Sequence, residues 1–246
     1  MSQYADYFSA CGLCLNQDKC MVMVIRSKPR TREIIWQGKP EEKKVKLLGV
    51  YIDNRYEFYD HVNYLVKICS FKMSCIRRIS KWLTDDNLKD VVRSLVLSHL
   101  NYCSEIYLRL PSVQSKIQKI LNSAARLALR RDRYANCEVM MKDLNWLNIA
   151  NHYRTQLLTS LRRILSTGSA FYTYSFIDGE SRASMRTRLM KLSWKHQNKY
   201  GKNCFIQNAV REWNAMKIGT KLFKNMEEFK DWIVKEAKSL YGNKNL

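Results

Sequence analysis

Val45-Lys46-Leu47-Leu48-Gly49-Val50-Tyr51-Ile52-Asp53 separates two kinds of sequence in this chain. Before it lie brief β-rich runs broken by polar turns. After it lie long segments with apolar residues at three- and four-residue steps, the spacing of helices with one buried face. Val45 to Ile52 reads as a strand, and Asp53-Asn54 ends it. Toward the N-terminus, Glu33 to Gln37 and Cys20 to Ile25 read as two more strands. Gly38-Lys39-Pro40 and Asn16-Gln17-Asp18-Lys19 read as turns, and Ser27 to Arg32 as a basic loop around Pro29. Ser2 to Ala10 has the pattern of a helix, with Gly12 placed to end it. Three short strands with tight connections predict a small antiparallel sheet. So few strands are barely stable alone and must pack on helices.

Toward the C-terminus the helical period takes over. Asp60 is the predicted N-cap of a helix whose stripe is Val62, Leu65, Val66, Cys69, Met73, Ile76 and Ile79. Its other face carries Lys67, Lys72, Arg77, Arg78 and Lys81. Thr84-Asp85-Asp86 starts a second helix with Leu88, Val91, Val92, Leu95, Val96 and Leu100 inside. Pro111 opens a third, with Val113, Ile117, Ile120, Leu121, Ala124, Leu127 and Ala128 inside. Between 112 and 133 stand six basic residues, Lys116, Lys119, Arg126, Arg130, Arg131 and Arg133, against one Asp. Three such helices make a small bundle. A solvated face is the plainer reading of any single charge here. Taken together, the first and third helices present a basic ridge suited to phosphates. Further helices follow at 138–165, where Arg154, Arg162 and Arg163 extend the basic character, at 203–213 and from Asn225 onward. Residues 182–202 hold seven Lys/Arg and no acid, with Trp194 and Tyr200 among them, a composition suited to phosphate contact with base stacking.

The predicted class is α+β, mostly α: a small antiparallel β-sheet at 1–56, a three-helix bundle at 57–135 and a basic helical region at 136–246. The whole chain carries 43 Lys+Arg against 22 Asp+Glu, a formal charge of +21. A surplus of that size points first to nucleic acid, and next to a membrane surface or an acidic protein. No apolar run reaches the about 20 residues of a membrane helix, and residues 1–10 have no apolar signal core. The expected location is therefore intracellular, nuclear or cytoplasmic. The eight cysteines are dispersed and read as reduced, mostly buried thiols. Cys11-x2-Cys14 with Cys20 invites a zinc site, yet no fourth ligand stands at a usual spacing, so no metal is assigned. Tyr4-Ala5-Asp6 has the beginning of a polymerase Tyr-Ala-Asp-Asp signature. Tyr7 replaces the second carboxylate, and one carboxylate on a helix does not hold two Mg²⁺ ions.

Read in order, several segments resemble one family. Gly12-Leu13-Cys14-Leu15-Asn16-Gln17-Asp18-Lys19 resembles the "GLxLNxxK" segment of non-LTR (LINE-type) retrotransposon reverse transcriptases. Leu47 to Asp53 resembles their "YLGVxLD" strand, with Leu47 where Tyr is usual, and Asp60-His61-Val62 resembles the opening of the next helix. Asn101-Tyr102-Cys103 and Pro111 to Arg126 resemble the thumb. Leu144-Asn145-Trp146-Leu147 resembles "LxWLP", with Asn148 in place of Pro. Arg211-Glu212-Trp213-Asn214 and Phe229-Lys230 resemble the closing pattern, with Met216-Lys217 in place of Leu-Pro.

The resemblance implies the end of a polymerase palm, a thumb, and the region that follows it. Lys19 would be the palm lysine near the incoming nucleotide, and Leu48, Gly49 and Val50 would belong to the primer-grip hairpin. The family's Mg²⁺-holding carboxylates and its fingers lie upstream of the matched segments, so no catalytic residue, metal or cofactor is assigned to this chain. The implied function is that of a truncated reverse transcriptase, non-catalytic alone, that binds RNA or RNA–DNA duplex. Lys67, Lys72, Arg77, Arg78, Lys116, Lys119, Arg126, Arg130, Arg131, Arg186, Arg188, Lys191 and Lys195 would make the contacts. The alternative is an interaction module that docks on a separate polypeptide carrying the catalytic part. The scattered departures also fit a decaying element without function.

Overall fold

The strand Val45 to Ile52 is not one strand. In the computed structural model it folds back on itself as β3 (Lys44–Leu47) and β4 (Val50–Asp53), an antiparallel pair with Val45 opposite Ile52 and Leu47 opposite Val50. The turn is Leu48-Gly49, both at positive φ (46° and 86°), the geometry that suits the right-handed twist of a hairpin. The alternating pattern of the run concealed the reversal, because Leu48 is an unusual occupant of such a turn.

The structure describes residues 2–14, 16–25, 35–36, 38–167, 204–216, 223 and 225–239. Arg186, Arg188, Lys191, Lys195 and the whole 182–202 segment, with its Trp194 and Tyr200, lie outside them. The chain divides into two compact units, Met1–Asp60 and His61–Leu246.

In the first unit, α1 (Ser2–Ala10) ends as expected at Gly12, at φ 72°. The Leu13 N–H donates to the Phe8 carbonyl and the Gly12 N–H to that of Ser9, which satisfies two end carbonyls. Strands β1 (Ile35–Trp36) and β2 (Lys39–Pro40) form a second, separate hairpin, so Lys39-Pro40 is strand rather than turn. The expected Cys20–Ile25 strand reduces to one parallel bridge between Val22 and Glu41. Alternation specifies an extended chain but not a partner for its ladder, and here two local hairpins take the pairing. The mostly helical α+β class holds, with two hairpins in place of one three-stranded sheet.

Asp53 closes this unit. Its carboxylate accepts from the backbone N–H groups of Arg55, Glu57 and Phe58 (2.9, 3.0 and 2.5 Å) and so holds a loop in which Tyr56 and Phe58 both have positive φ. The next helix, α2 (Tyr59–Ile79), starts before Asp60. Asp60 is thus a first-turn residue 3.8 Å from Lys44 Nζ, not the N-cap.

In the second unit the expected helices form. Val62, Leu65, Cys69, Met73 and Ile76 of α2 are buried, while Ile79 is exposed. Thr84 caps α3 (Asp85–Val92), its hydroxyl accepting from the Asn87 N–H. A π-helical turn, Arg93–Leu97, joins α3 to α4 (Ser98–Asn101). The wider turn shifts the inner face to Leu88, Val92, Val96 and Leu100 and moves Leu95 outside. A short α5 (Ser104–Tyr107) buries Tyr107, whose hydroxyl donates to the Leu100 carbonyl and whose ring meets His61 edge-on at 5.0 Å. α6 (Pro111–Ala128) has Pro at its first position and buries every residue of its expected stripe. α7 (Cys137–Asp143) is capped by Asn136, and α8 (Ile149–Thr167) by Asn148, whose Oδ1 accepts from the Asn151 N–H at 2.8 Å. α9 (Phe205–Ala215) and α10 (Met226–Ser239) pack on α8.

Two arginines of α8 belong to that packing. Arg154 lies 3.1 Å from Glu212, and Arg162 sits over the Phe229 ring at 4.5 Å while donating to the Phe223 carbonyl. They tie α9 and α10 down and leave Arg163 as the exposed basic residue of the three. The cysteines are free, yet only Cys69 is fully buried, which corrects the expectation of mostly buried thiols. Among the described residues, no helix is long and apolar enough to cross a membrane.

Candidate nucleic-acid interface

The last turn of α2 and the end of α6 meet around a groove of about 530 Å³ lined by Arg77, Ser80, Ser123, Arg126, Leu127, Arg130, Arg131 and Arg133. Five arginines line this space, and among the described residues no Asp or Glu does. Two backbone features bring them there. α2 passes into a 3-10 turn at Ser80–Trp82, which leaves Arg77 over α6. α6 ends with Arg130 at φ 49°, the Arg131 N–H donating to the Arg126 carbonyl and the Arg130 N–H to that of Leu127. This reversal turns Arg131 and Arg133 back toward Arg126.

The five arginines are not equivalent. Arg130 is structural: Nε donates to Asp85 Oδ1 at 2.9 Å, and Nη2 to the carbonyls of Ser80 and Leu83 at 2.8 and 2.7 Å. It fastens the end of α6 to the α2–α3 connection and has little left for a ligand. Arg126 donates through Nη2 to Cys137 Sγ at 3.3 Å, and its Nε is shut off from solvent without an acceptor. Among the described residues no carboxylate pairs with Arg77 or Arg131. Arg133 stacks on Tyr134, centroid distance 5.4 Å, and that ring is 84% exposed.

The other expected contacts distribute around this groove. Lys116 and Lys119 share the side of α6 that leads through Ser123 to Arg126, a row at steps of three, four and three. Lys67 and Arg78 lie on the outer face of α2, aligned with Phe71 and Trp82, which are 69% and 73% exposed. Lys81 Nζ stands 4.2 Å over the Trp82 ring. Lys72 departs from the expected ridge. Its Nζ contacts His99 Nε2, and burial together with that charge lowers the His99 pKa. Lys19 and Leu48-Gly49-Val50 belong to the first unit, Lys19 exposed at the end of a 3-10 turn and Leu48 at the hairpin tip. Sequence reasoning missed Phe71, Trp82 and Tyr134, and counted Arg133 among the basic residues without making it a contact. The available signal was that all three aromatics fall off the buried stripes in basic surroundings.

A second cavity of about 360 Å³ is lined by Gln114, Gln118, Asn122, Asn148 and their neighbours. Its amides are engaged internally: Gln118 accepts from the Ile149 N–H and donates to Asn122, and Gln114 donates to the Leu108 carbonyl. Among the described residues no group of three or more His, Cys, Asp or Glu is placed to hold a metal ion. Compared with models of protein families, with curated proteins and with solved structures, the chain has no match.

Proposed function

We propose that this chain binds RNA or RNA–DNA duplex through the basic faces of α2 and α6, as the thumb-bearing part of a reverse transcriptase of the non-LTR type. One observation carries the reading: the α6 row Lys116, Lys119 and Arg126 runs into a groove without carboxylates where Arg77 of α2 joins it. Cations from two helices on one surface match the spacing of a phosphate backbone better than scattered solvated charges do. The exposed Phe71 and Trp82 among the cations of α2 add apolar area for sugars or unpaired bases. The resemblance of 12–19, 47–53, 101–103 and 111–126 to that family supports the same assignment. No residue of 1–246 is given a catalytic role. Nucleotidyl transfer would rest on Mg²⁺-holding carboxylates elsewhere, on this polypeptide or another.

The test is a binding titration of the chain against RNA–DNA duplex at 50 and 200 mM salt. Four neutralised phosphates would weaken binding about 100-fold across that range. Replacing Lys116 and Lys119 together by Gln should flatten the salt slope by about two phosphates' worth, with little effect of duplex sequence. Affinity indifferent to salt would overturn the reading.

A further inference from the structure

We infer that the arginine-lined groove is a pocket for the terminal phosphate monoester of a nucleic-acid strand, with Tyr134 stacking on the base next to that end. The inference rests on the nucleic-acid reading and specifies what part of the ligand this site takes.

Shape argues first. The faces of α2 and α6 are convex and track a backbone from outside. A recess of about 530 Å³ instead receives a group that protrudes, and a strand end protrudes where an internal phosphodiester does not.

Charge argues next. Arg77, Arg126, Arg131 and Arg133 line one space and no Asp or Glu among the described residues lines it with them, so their like charges repel. A monoester near neutral pH carries close to two charges and three acceptor oxygens, and relieves that repulsion more than a singly charged diester does. Planar guanidinium forks suit those oxygens bidentately, which lysines would not.

The wall is also held in advance. Asp85 and two carbonyls fix Arg130, and Cys137 holds one end of Arg126. Tyr134 stands next to Arg133 in sequence, its ring open to solvent and backed by that guanidinium, which makes it a stacking platform beside the recess.

The experiment uses the full chain and short single-stranded RNAs of one sequence, ended by phosphate or hydroxyl at the 5′ or the 3′ side. At near-physiological salt a terminal phosphate should raise affinity about tenfold at one or both ends. Arg77→Gln and Arg131→Gln should each bring phosphate- and hydroxyl-ended strands to within about twofold of each other, whatever the residual affinity for both. An unchanged melting temperature shows the variants folded; among the described residues neither side chain ties another element down. Three results would overturn the inference. Phosphate- and hydroxyl-ended strands could bind the wild type equally. The preference could survive in the double variant. Inorganic phosphate could compete as well as the phosphorylated strand, which would make the recess a site for the free anion. Binding of all strands without end preference would defeat this inference alone, whereas failure to bind any strand or duplex would defeat the nucleic-acid reading with it.

Discussion

Leu48 occupies a left-handed backbone conformation at a hairpin tip, with 82% of its surface exposed. A residue with a bulky side chain costs about 1 kcal/mol or more there, and Asn is the usual tenant before Gly. Leu48→Asn should therefore stabilise the β3–β4 hairpin by about 0.5–1 kcal/mol. Hydrogen exchange at the Leu47 and Val50 amides would show it as increased protection, and faster exchange would contradict the turn assignment. Arg130 also has a positive φ, and its side chain holds three acceptors across the α2–α3 connection. Charge alone made it a phosphate contact. Only the surrounding carbonyls reveal it as a tie between elements.

At the scale of elements, helix ends decide where the basic residues point. The departure at Asn148 from the family pattern is a working cap: its side chain accepts from the Asn151 N–H, and its carbonyl accepts from His152. Asn148→Ala should destabilise the second unit by about 1 kcal/mol, read as a lower denaturation midpoint with the m-value unchanged. Asn148→Asp or Ser should recover most of the loss. An Ala variant as stable as the wild type would return this position to drift. Met216, another departure, is buried at the end of α9, so the altered residue there is also part of the packing. The π-turn at Arg93–Leu97 is an element-scale feature that no periodicity showed. Its widened turn is visible only as the displacement of Leu95 from the inner face.

Across the whole molecule, two histidines make stability depend on acid. Burial lowers His61 and His152 from 6.5 to about 4; His61 lies against Tyr107, and His152 Nε2 is 3.2 Å from the Ser104 hydroxyl. Between those values the unfolded chain binds protons that the folded chain does not, so stability falls as pH drops from about 6.5 toward 4 and is fully present above that window. Melting temperature followed from pH 8 to 5 should decline below about 6.5, and His61→Gln should make the decline shallower. A flat profile would mean that these rings take up protons without unfolding.

The local chemistry of the chain was sufficient for its helices. Thr84, Pro111, Asn225 and Gly12 mark ends that depend on neighbours within a few residues, and the apolar stripes of α2 and α6 follow from one rotation per residue. The basic surplus likewise needs no structure to be seen. Tertiary structure decided the rest, because each remaining question involved a distant partner. Strand pairing joins residues across a turn that Leu48 disguised. Arg154 and Arg162 face inward because α9 and α10 supply Glu212 and Phe229. Arg77 meets Arg126 and Arg131 because a 3-10 turn and a left-handed residue bring two helix ends together. A charge in a sequence has a sign but no direction; the packing around it determines whether it holds the fold together or meets a ligand.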